Sequence, residues 1–317
     1  MSCDIVIPIW NQFDLTKSCI ESIRANTKCG YTVILVDNAS GEPVRRYLEE
    51  LDRDTGVATA LIRNERNEGF IKAVNRGIAR SSARYVCVLN NDTIVCEGWL
   101  GEMISIAEQD ASIGIVNPSS NNLGQRPAEG ESIEEFARRL ESQRGRSSDM
   151  AAALGFCMLL KRELIEKVGV FDEVYGMGNF EDTDLSRRSA RAGFRCVRAC
   201  GAYVYHEESS SFGISPNFER DFARNRKIFE ARWGAPKRVL YVLGSAGKND
   251  LKKVSDESLS IAGKGNWVHI YARDSVDTNG IPAHSNIIVK KFPDRFFSVR
   301  VWLKILTKKK RFHEIRR

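Results

Sequence analysis

A carboxylate closes the stretch Tyr85-Val86-Cys87-Val88-Leu89-Asn90-Asn91-Asp92. Five mostly apolar residues bounded by turn formers predict a fully buried strand of a parallel sheet. In such sheets ligands bind outside the strands' carboxyl ends. A hard carboxylate there suits Mg2+ or Mn2+ that also holds substrate phosphates; the plainer role is a turn, or a cap for the helix starting near Trp99. Three other expected strands also end in polar tips, at Asn11, at Asp37-Asn38 and beyond Ile62 at Asn67. One such tip is ordinary turn chemistry, but four converging on one edge make a site. Farther on, Glu181 and Asp182 stand where a helix opens, after Gly176 and Gly178. Acids in a first turn serve the helix dipole, which accounts for Asp184. For Glu181 and Asp182 the glycines suit a loop that brings carboxylates to a cleft, where one can act as general base. His206 follows an apolar strand at a polar turn. Alone it reads as a structural histidine; with Asp92 it would complete a divalent metal site on a nucleotide pyrophosphate.

The elements that must carry these residues alternate. Strands are expected at Cys3–Ile9, Tyr31–Val36, Ala58–Ile62 and from Tyr85. Between them lie a helix with Leu15, Cys19, Ile20 and Ile23 at helical spacing, a charged helix from Val44 to Leu51, and a helix with Ile71, Val74 and Ile78. Asn75 sits near the face of that last helix. The βαβαβαβ order implies right-handed crossovers and a parallel sheet. No G-x-G-x-x-G follows the first strand and no Walker A motif occurs, so phosphate must be held by metal and side chains. Next come a helix at Trp99–Glu108, a strand at Ile113–Val116, and a weakly apolar insertion, residues 119–149, with one helix at Ile133–Leu140. That insertion is expected to cover the site or contact an acceptor. An apolar run over residues 151–161, a helix at Arg162–Val168, one or two strands over residues 194–205 and a helix from Pro216 to Trp233 complete the body.

The 317 residues carry a formal charge of +7, unevenly placed. Residues 244–317 hold 16 Lys/Arg and 7 Asp/Glu, a net of +9, which leaves 7 − 9 = −2 for the rest. All eight cysteines precede residue 201, without a zinc spacing or a CxxC pair, which reads as structural thiols in a reducing compartment. The chain enters a strand at once without a signal peptide, and no apolar run reaches transmembrane length. Two glycosylation sequons, Asn38-Ala-Ser40 and Asn91-Asp-Thr93, fall at the expected site loops, where a glycan would block the cleft. A cytoplasmic protein is expected, and no nucleic-acid partner, because the basic stretch contains no recognised binding module.

Pro8-Ile-Trp-Asn11, Val36-Asp-Asn-Ala-Ser40, Asn67-Glu-Gly-Phe70 with Asn75, Leu89-Asn-Asn-Asp92, Phe180-Glu-Asp-Thr-Asp184 and His206 occur in one order. Together they resemble the family-2 inverting glycosyltransferases of the GT-A fold, above all the rhamnosyltransferase-like branch, over about residues 3–234. The resemblance implies an α/β fold with a mostly parallel central sheet flanked by helices. It also implies metal-dependent transfer from a UDP- or dTDP-sugar to a hydroxyl of a glycan or lipid-linked acceptor. Pro8, Trp10 and Asn11 would line the base pocket, and Asp37 with Asn38 would contact base and ribose. Asn67, Asn75 and Asn91 would hold the donor side. Asp92 and His206 would bind Mn2+ or Mg2+, in a motif whose first acid is here Asn90. Asp182 would be the base, with Glu181 as the alternative or as an acceptor-orienting partner.

Residues 236–317 are expected to form a separate basic α/β segment after a Gly-Ala-Pro boundary. Its strands and helices resemble the opening of a GT-B half-domain. A second reading takes Phe296-Phe297, Val301-Trp302, Ile305-Leu306 and the basic run from Lys308 to Arg311 as a helix lying on an anionic membrane. Two other functions compete for the whole chain. A nucleotidyltransferase also places acids at strand ends but needs a Gly-rich basic loop after its first strand, which Pro8-Ile-Trp-Asn11 is not. A binding module that kept the fold and lost turnover is consistent with Asn90.

Overall fold

A computed structural model describes residues 3–53, 58–207, 217–245 and 248–317. Contacts divide the chain into two units, Met1–Ser147 with Ala152–Arg232, and Ser148–Ala151 with Trp233–Arg317.

In the first unit β1 (Cys3–Ile9), β2 (Tyr31–Asp37), β3 (Thr59–Arg63) and β4 (Tyr85–Leu89) lie parallel in the order β3-β2-β1-β4. They alternate with α1 (Phe13–Asn26), α2 (Val44–Arg53) and α3 (Phe70–Arg80). Each helix buries one apolar stripe: Cys19, Ile20 and Ile23 from α1, Leu48 and Leu51 from α2, Ile71, Val74 and Ile78 from α3. Every residue of β4 is buried, as a strand covered on both faces requires. Helix α3 approaches β1 so closely that a Cβ on Gly77 would lie 2.2 Å from Val6 Cγ1, a distance only glycine permits.

The rest of the unit makes the sheet mixed. It contains β5 (Thr93–Val95), α4 (Trp99–Glu108), β6 (Ile113–Ser119), α5 (Ile133–Leu140), β7 (Ser147–Met150, at the division between units), β8 (Cys157–Lys161), α6 (Arg162–Val168), α7 (Glu181–Arg191), β9 (Arg195–His206) and α8 (Phe218–Trp233). The order continues β4-β8-β6-β9-β5, with β8 antiparallel to both β4 and β6, β9 parallel to β6, and β5 antiparallel to β9. The run expected as one or two strands is the single strand β9, whose pairing with β6 shifts register between Pro118 and Ser119. The expected helix start at Pro216 lies outside the described residues.

The second unit is a parallel four-stranded sheet, ordered β12-β11-β10-β13. Its elements are β10 (Arg238–Leu243), α9 (Lys248–Gly263), β11 (Trp267–Arg273), β12 (Ile287–Phe292), α10 (Phe297–Leu306) and β13 (Glu314–Arg316). One face of the sheet packs Val239, Tyr241 and Ile270 with Val254 and Ala262 of α9, and the other packs Leu240 and Tyr271 with Phe297 and Val301 of α10. All eight cysteines are free thiols, six of them buried. Among the described residues no helix is long and apolar enough to cross a membrane.

Candidate active site

The tip of β2 is a closed network of amides. Asp37 is fully buried; its Oδ1 accepts from the Ser40 N–H at 2.8 Å, and its Oδ2 lies 3.4 Å from Arg63 Nε. Ala39 turns the chain back with φ +64°. Asn38 then points into the loop after β3. Its Nδ2 donates to Asn67 Oδ1 at 2.7 Å and to the Gly69 carbonyl at 3.2 Å. Its Oδ1 accepts from Asn64 Nδ2 at 2.8 Å and from the Glu68 N–H at 3.0 Å. Two donors and two lone pairs are all that an asparagine amide has, so this one is saturated within the protein. Asn67 Oδ1 also accepts from the Gly69 N–H at 2.9 Å. Asn11, at φ +57°, donates its N–H to Ser40 Oγ at 2.8 Å and accepts from the Gly41 N–H at 3.0 Å, stitching the β1 tip to the β2 tip. Pro8 is half-buried and Trp10 is 40% exposed. Asn75 donates instead to the Phe171 carbonyl at 2.9 Å and to Glu173 Oε1 at 3.4 Å, in the segment leading to α7.

The tip of β4 is less complete. Asn90 donates its N–H to the Phe156 carbonyl at 2.8 Å, and Asn91 Nδ2 donates to Thr16 Oγ1 at 2.9 Å. Strand β5 follows at once and pairs Thr93 with His206. That pairing sets His206 Nε2 2.9 Å from Asp92 Oδ1, with both side chains 14% exposed. The Phe156 ring stacks on the imidazole, centroids 5.2 Å apart. Two residues from the start of the 119–149 insertion complete the setting. Asn121 exchanges hydrogen bonds with the His206 backbone, at 2.9 Å to its N–H and 2.8 Å to its carbonyl, and Asn122 Nδ2 meets His206 Nδ1. Asn90 Nδ2 lies 3.5 Å from the same Nε2 atom that faces Asp92, so each ring nitrogen faces an amide group.

Glu181 and Asp182 begin α7 behind two consecutive left-handed residues, Asn179 and Phe180, both at φ +75°. Such backbone is costly away from glycine and needs external support. Buried Asn225 of α8 supplies it, its Nδ2 donating to the carbonyls of Tyr175 at 2.7 Å and Gly178 at 2.8 Å. Asp184 is bound into the scaffold by Arg188 and Arg232, each at 2.8 Å. Asp182 Oδ2 accepts from the Gly155 N–H at 3.0 Å and its Oδ1 from Thr183. Glu181 is 6% exposed, and its Oε2 is buried with no hydrogen-bond partner among the described residues. Burial first, then the neighbouring Asp182 charge, push the Glu181 carboxyl up to about 8. Burial likewise raises Asp182, against the hydrogen bonds from Gly155 and Thr183.

One turn joins the two carboxylate sites. Gly155 touches Asp182, and the next residue, Phe156, touches Asn90 and His206. Fully buried Asn117, at the β6 tip, holds this turn: its Nδ2 donates to the Leu154 carbonyl at 2.9 Å and its Oδ1 accepts from the Leu154 N–H at 3.0 Å. Asn117, Asn121 and Asn122 carry roles that the motif reading did not assign. Their signal was a fifth polar strand tip, Asn117-Pro118-Ser119-Ser120-Asn121-Asn122. The remainder of the insertion packs on β9 through Phe136 and Tyr203, rings 4.8 Å apart.

Among the described residues no three His, Cys, Asp or Glu side chains are grouped to cage a metal. The β4 tip instead offers one carboxylate, one imidazole and the buried, unpartnered Oδ1 atoms of Asn90 and Asn122. Such oxygen and nitrogen donors fit a divalent cation that takes its remaining ligands from phosphate oxygens.

The family profile described as Glycosyl transferase family 2 matches residues 4–169. The uncharacterised protein y4gI of Sinorhizobium fredii is 27% identical over 255 residues, which cover 72% of this chain and 27% of that protein. The O-antigen biosynthesis protein RfbC of Myxococcus xanthus is 26% identical over 256 residues, covering 74% of this chain and 19% of its own. The chain thus spans about a quarter or less of the length of these relatives. A mannosyltransferase from Pyrobaculum calidifontis, solved in complex with GDP-Man and Mn2+, superposes with a TM-score of 0.53 at 17% identity, over 67% of this chain and 59% of its own. At that identity the likeness shows the fold, a GT-A arrangement.

Proposed function

The chain belongs to glycosyl transferase family 2, and from that premise we propose that it moves a sugar from a nucleoside diphosphate sugar to a hydroxyl of a glycan or lipid-linked acceptor, with inversion. The observation that carries this reading is the Gly155–Phe156 turn, which puts a candidate base and a candidate metal pair on adjacent residues. Asp182 takes the acceptor's proton; the acceptor oxygen attacks the anomeric carbon; the bond to the diphosphate breaks, its electron pair leaving with the phosphate. One base and a single displacement give inversion. Asp92 and His206, with Asn90 beside them, would hold Mn2+ or Mg2+. Bound there, the cation supplies offsetting charge for the departing diphosphate. Pro8, Trp10, Asn11, Asp37 and Arg63 serve the base and ribose of a UDP or dTDP donor. Asn38, Asn67 and Asn91 shape that side through the loops they hold, and Asn75 through the segment before α7. The O-antigen biosynthesis in the name of the Myxococcus relative supports trying O-antigen glycans first as acceptors.

Glu181, whose burial and neighbouring Asp182 charge push its carboxyl up to about 8, is favoured in the protonated form and would orient the acceptor or Asp182. Calorimetric titration with UDP, dTDP and their sugars, with Mn2+ and with chelator, tests the donor site. Metal-dependent binding is expected, and no binding by any of them would overturn the reading. Binding without turnover on any acceptor would favour a module that has lost catalysis, a reading that Asn90 in place of an acid supports.

A further inference from the structure

We propose that α10 docks this protein onto an anionic lipid surface. The helix is apolar on two sides, and among the described residues only one is covered. Phe297 and Val301 are buried and Ile305 half-buried, packed on Leu240 and Tyr271 of the second unit's sheet. That places Phe297, Val301 and Ile305 in the core and corrects the sequence expectation, which counted them in the membrane face. The outward stripe is different: Phe296, Val299, Trp302, Leu303 and Leu306 are each 50–60% exposed. Five large apolar side chains within eleven positions form a patch, unlike the scattered singles that need no explanation.

Charge selects the occupant. Residues 287–317 hold 11 Lys/Arg and 2 Asp/Glu, a net of 11 − 2 = +9, whereas residues 244–286 hold 5 of each and are neutral. The whole basic excess of the tail therefore lies in the stretch of sequence that contains α10. Exposed Arg300 and Lys304 flank the stripe on the helix itself, Arg295 precedes it, and Lys309, Lys310 and Arg311 follow it, all exposed. An apolar stripe bearing Trp, Phe and Leu beside Lys and Arg is the pattern of a helix lying in a lipid interface, and the basic groups are drawn to acidic headgroups. A second copy of this chain would set +9 against +9. A nucleic acid would meet the charges but leave Val299, Leu303 and Leu306 without a partner. This inference is independent of the transferase reading, and either can fail alone.

The test is co-sedimentation of the full chain with vesicles of phosphatidylcholine alone and of equimolar phosphatidylcholine and phosphatidylglycerol, at low and high salt. Binding only to the anionic vesicles, weakened by salt, is expected. Trp302→Ser with Leu306→Ser should weaken it about tenfold or more, as should Lys309→Gln, Lys310→Gln and Arg311→Gln together. These side chains are exposed, so the variants should keep the wild-type melting temperature. Absence of binding to anionic vesicles, or binding that the Trp302→Ser/Leu306→Ser variant leaves unchanged, would overturn the proposal. So would a concentration-dependent dimer abolished by that variant in a chain that ignores vesicles.

Discussion

Two strand tips in the first unit are built from the same residue types and differ in how fully they are satisfied. At the β2 tip, Asn38 uses all four of its hydrogen-bonding positions on Asn67, Gly69, Asn64 and Glu68. At the β4 tip and its neighbour α7, Asn90 Oδ1, Asn122 Oδ1 and Glu181 Oε2 are buried and take no hydrogen bond from a described residue. Buried polar atoms left unpaired cost free energy, on the order of 1–3 kcal/mol each. A chain tolerates several together where ligand atoms supply the partners. On the proposed reading, the amides of the β2 tip serve as a frame and the β4 tip as a socket. Asp37 is the exception at the β2 tip: Ser40 holds its Oδ1, while its buried Oδ2 takes no hydrogen bond from a described residue and lies 3.4 Å from Arg63 Nε.

The largest effect should come from the socket's base. Asp182→Asn should lower transfer by ~10²–10⁴-fold while Mn2+-dependent nucleotide binding stays within a few-fold; transfer that survives would move the base elsewhere. Asp92→Ala and His206→Ala should each weaken Mn2+-dependent nucleotide binding by about tenfold or more, read by calorimetry. Metal titrations unchanged in both variants would remove the pair from the site. The frame should respond in stability instead. Asn38→Ala strands Asn64, Glu68 and Gly69 groups, costing ~1–3 kcal/mol and roughly 2–10 °C in melting temperature for a unit of this size. If Asn38→Ala instead abolished nucleotide binding at unchanged melting temperature, the distinction between frame and socket would collapse.

A further effect is a pH dependence of stability. The folded Glu181 carboxyl lies at about 8, above its ordinary value of 4.5, so between those two values the folded chain holds a proton that the unfolded chain has lost. Stability must then fall as pH rises across that window. Glu181→Gln should remove this component, leaving a flatter profile of melting temperature against pH. A profile as steep as wild type would show that Glu181 is not buried as a neutral acid.

The sequence was most readable where packing repeats. Strands β1 to β4 are apolar runs and their helices carry stripes at helical spacing, so the parallel half of the sheet followed directly. The mixed half was harder. Thr93–Val95 is three residues long, too short for a pattern, yet its pairing with β9 is what brings His206 to Asp92. The same holds for β13, whose Glu314–Arg316 reads as polar tail. At the site, residue types singled out Asp92, His206 and Asp182 as candidates, and the fold brings the first two within 2.9 Å of each other. Amides announced little. Asn38, Asn117 and Asn122 are told apart by where their carbonyl and NH2 point, which the partners around them decide and the residue type does not.

The turn at Gly155–Phe156 has a mechanical consequence. Adjacent Cα atoms are about 3.8 Å apart across a trans peptide, so the backbone that receives Asp182 and the ring that steadies His206 cannot drift independently. Asn117 clamps the residue before them to the β6 tip. On the proposed reading, the span between Asp182 and the Asp92–His206 pair is thereby set by one dipeptide just before β8.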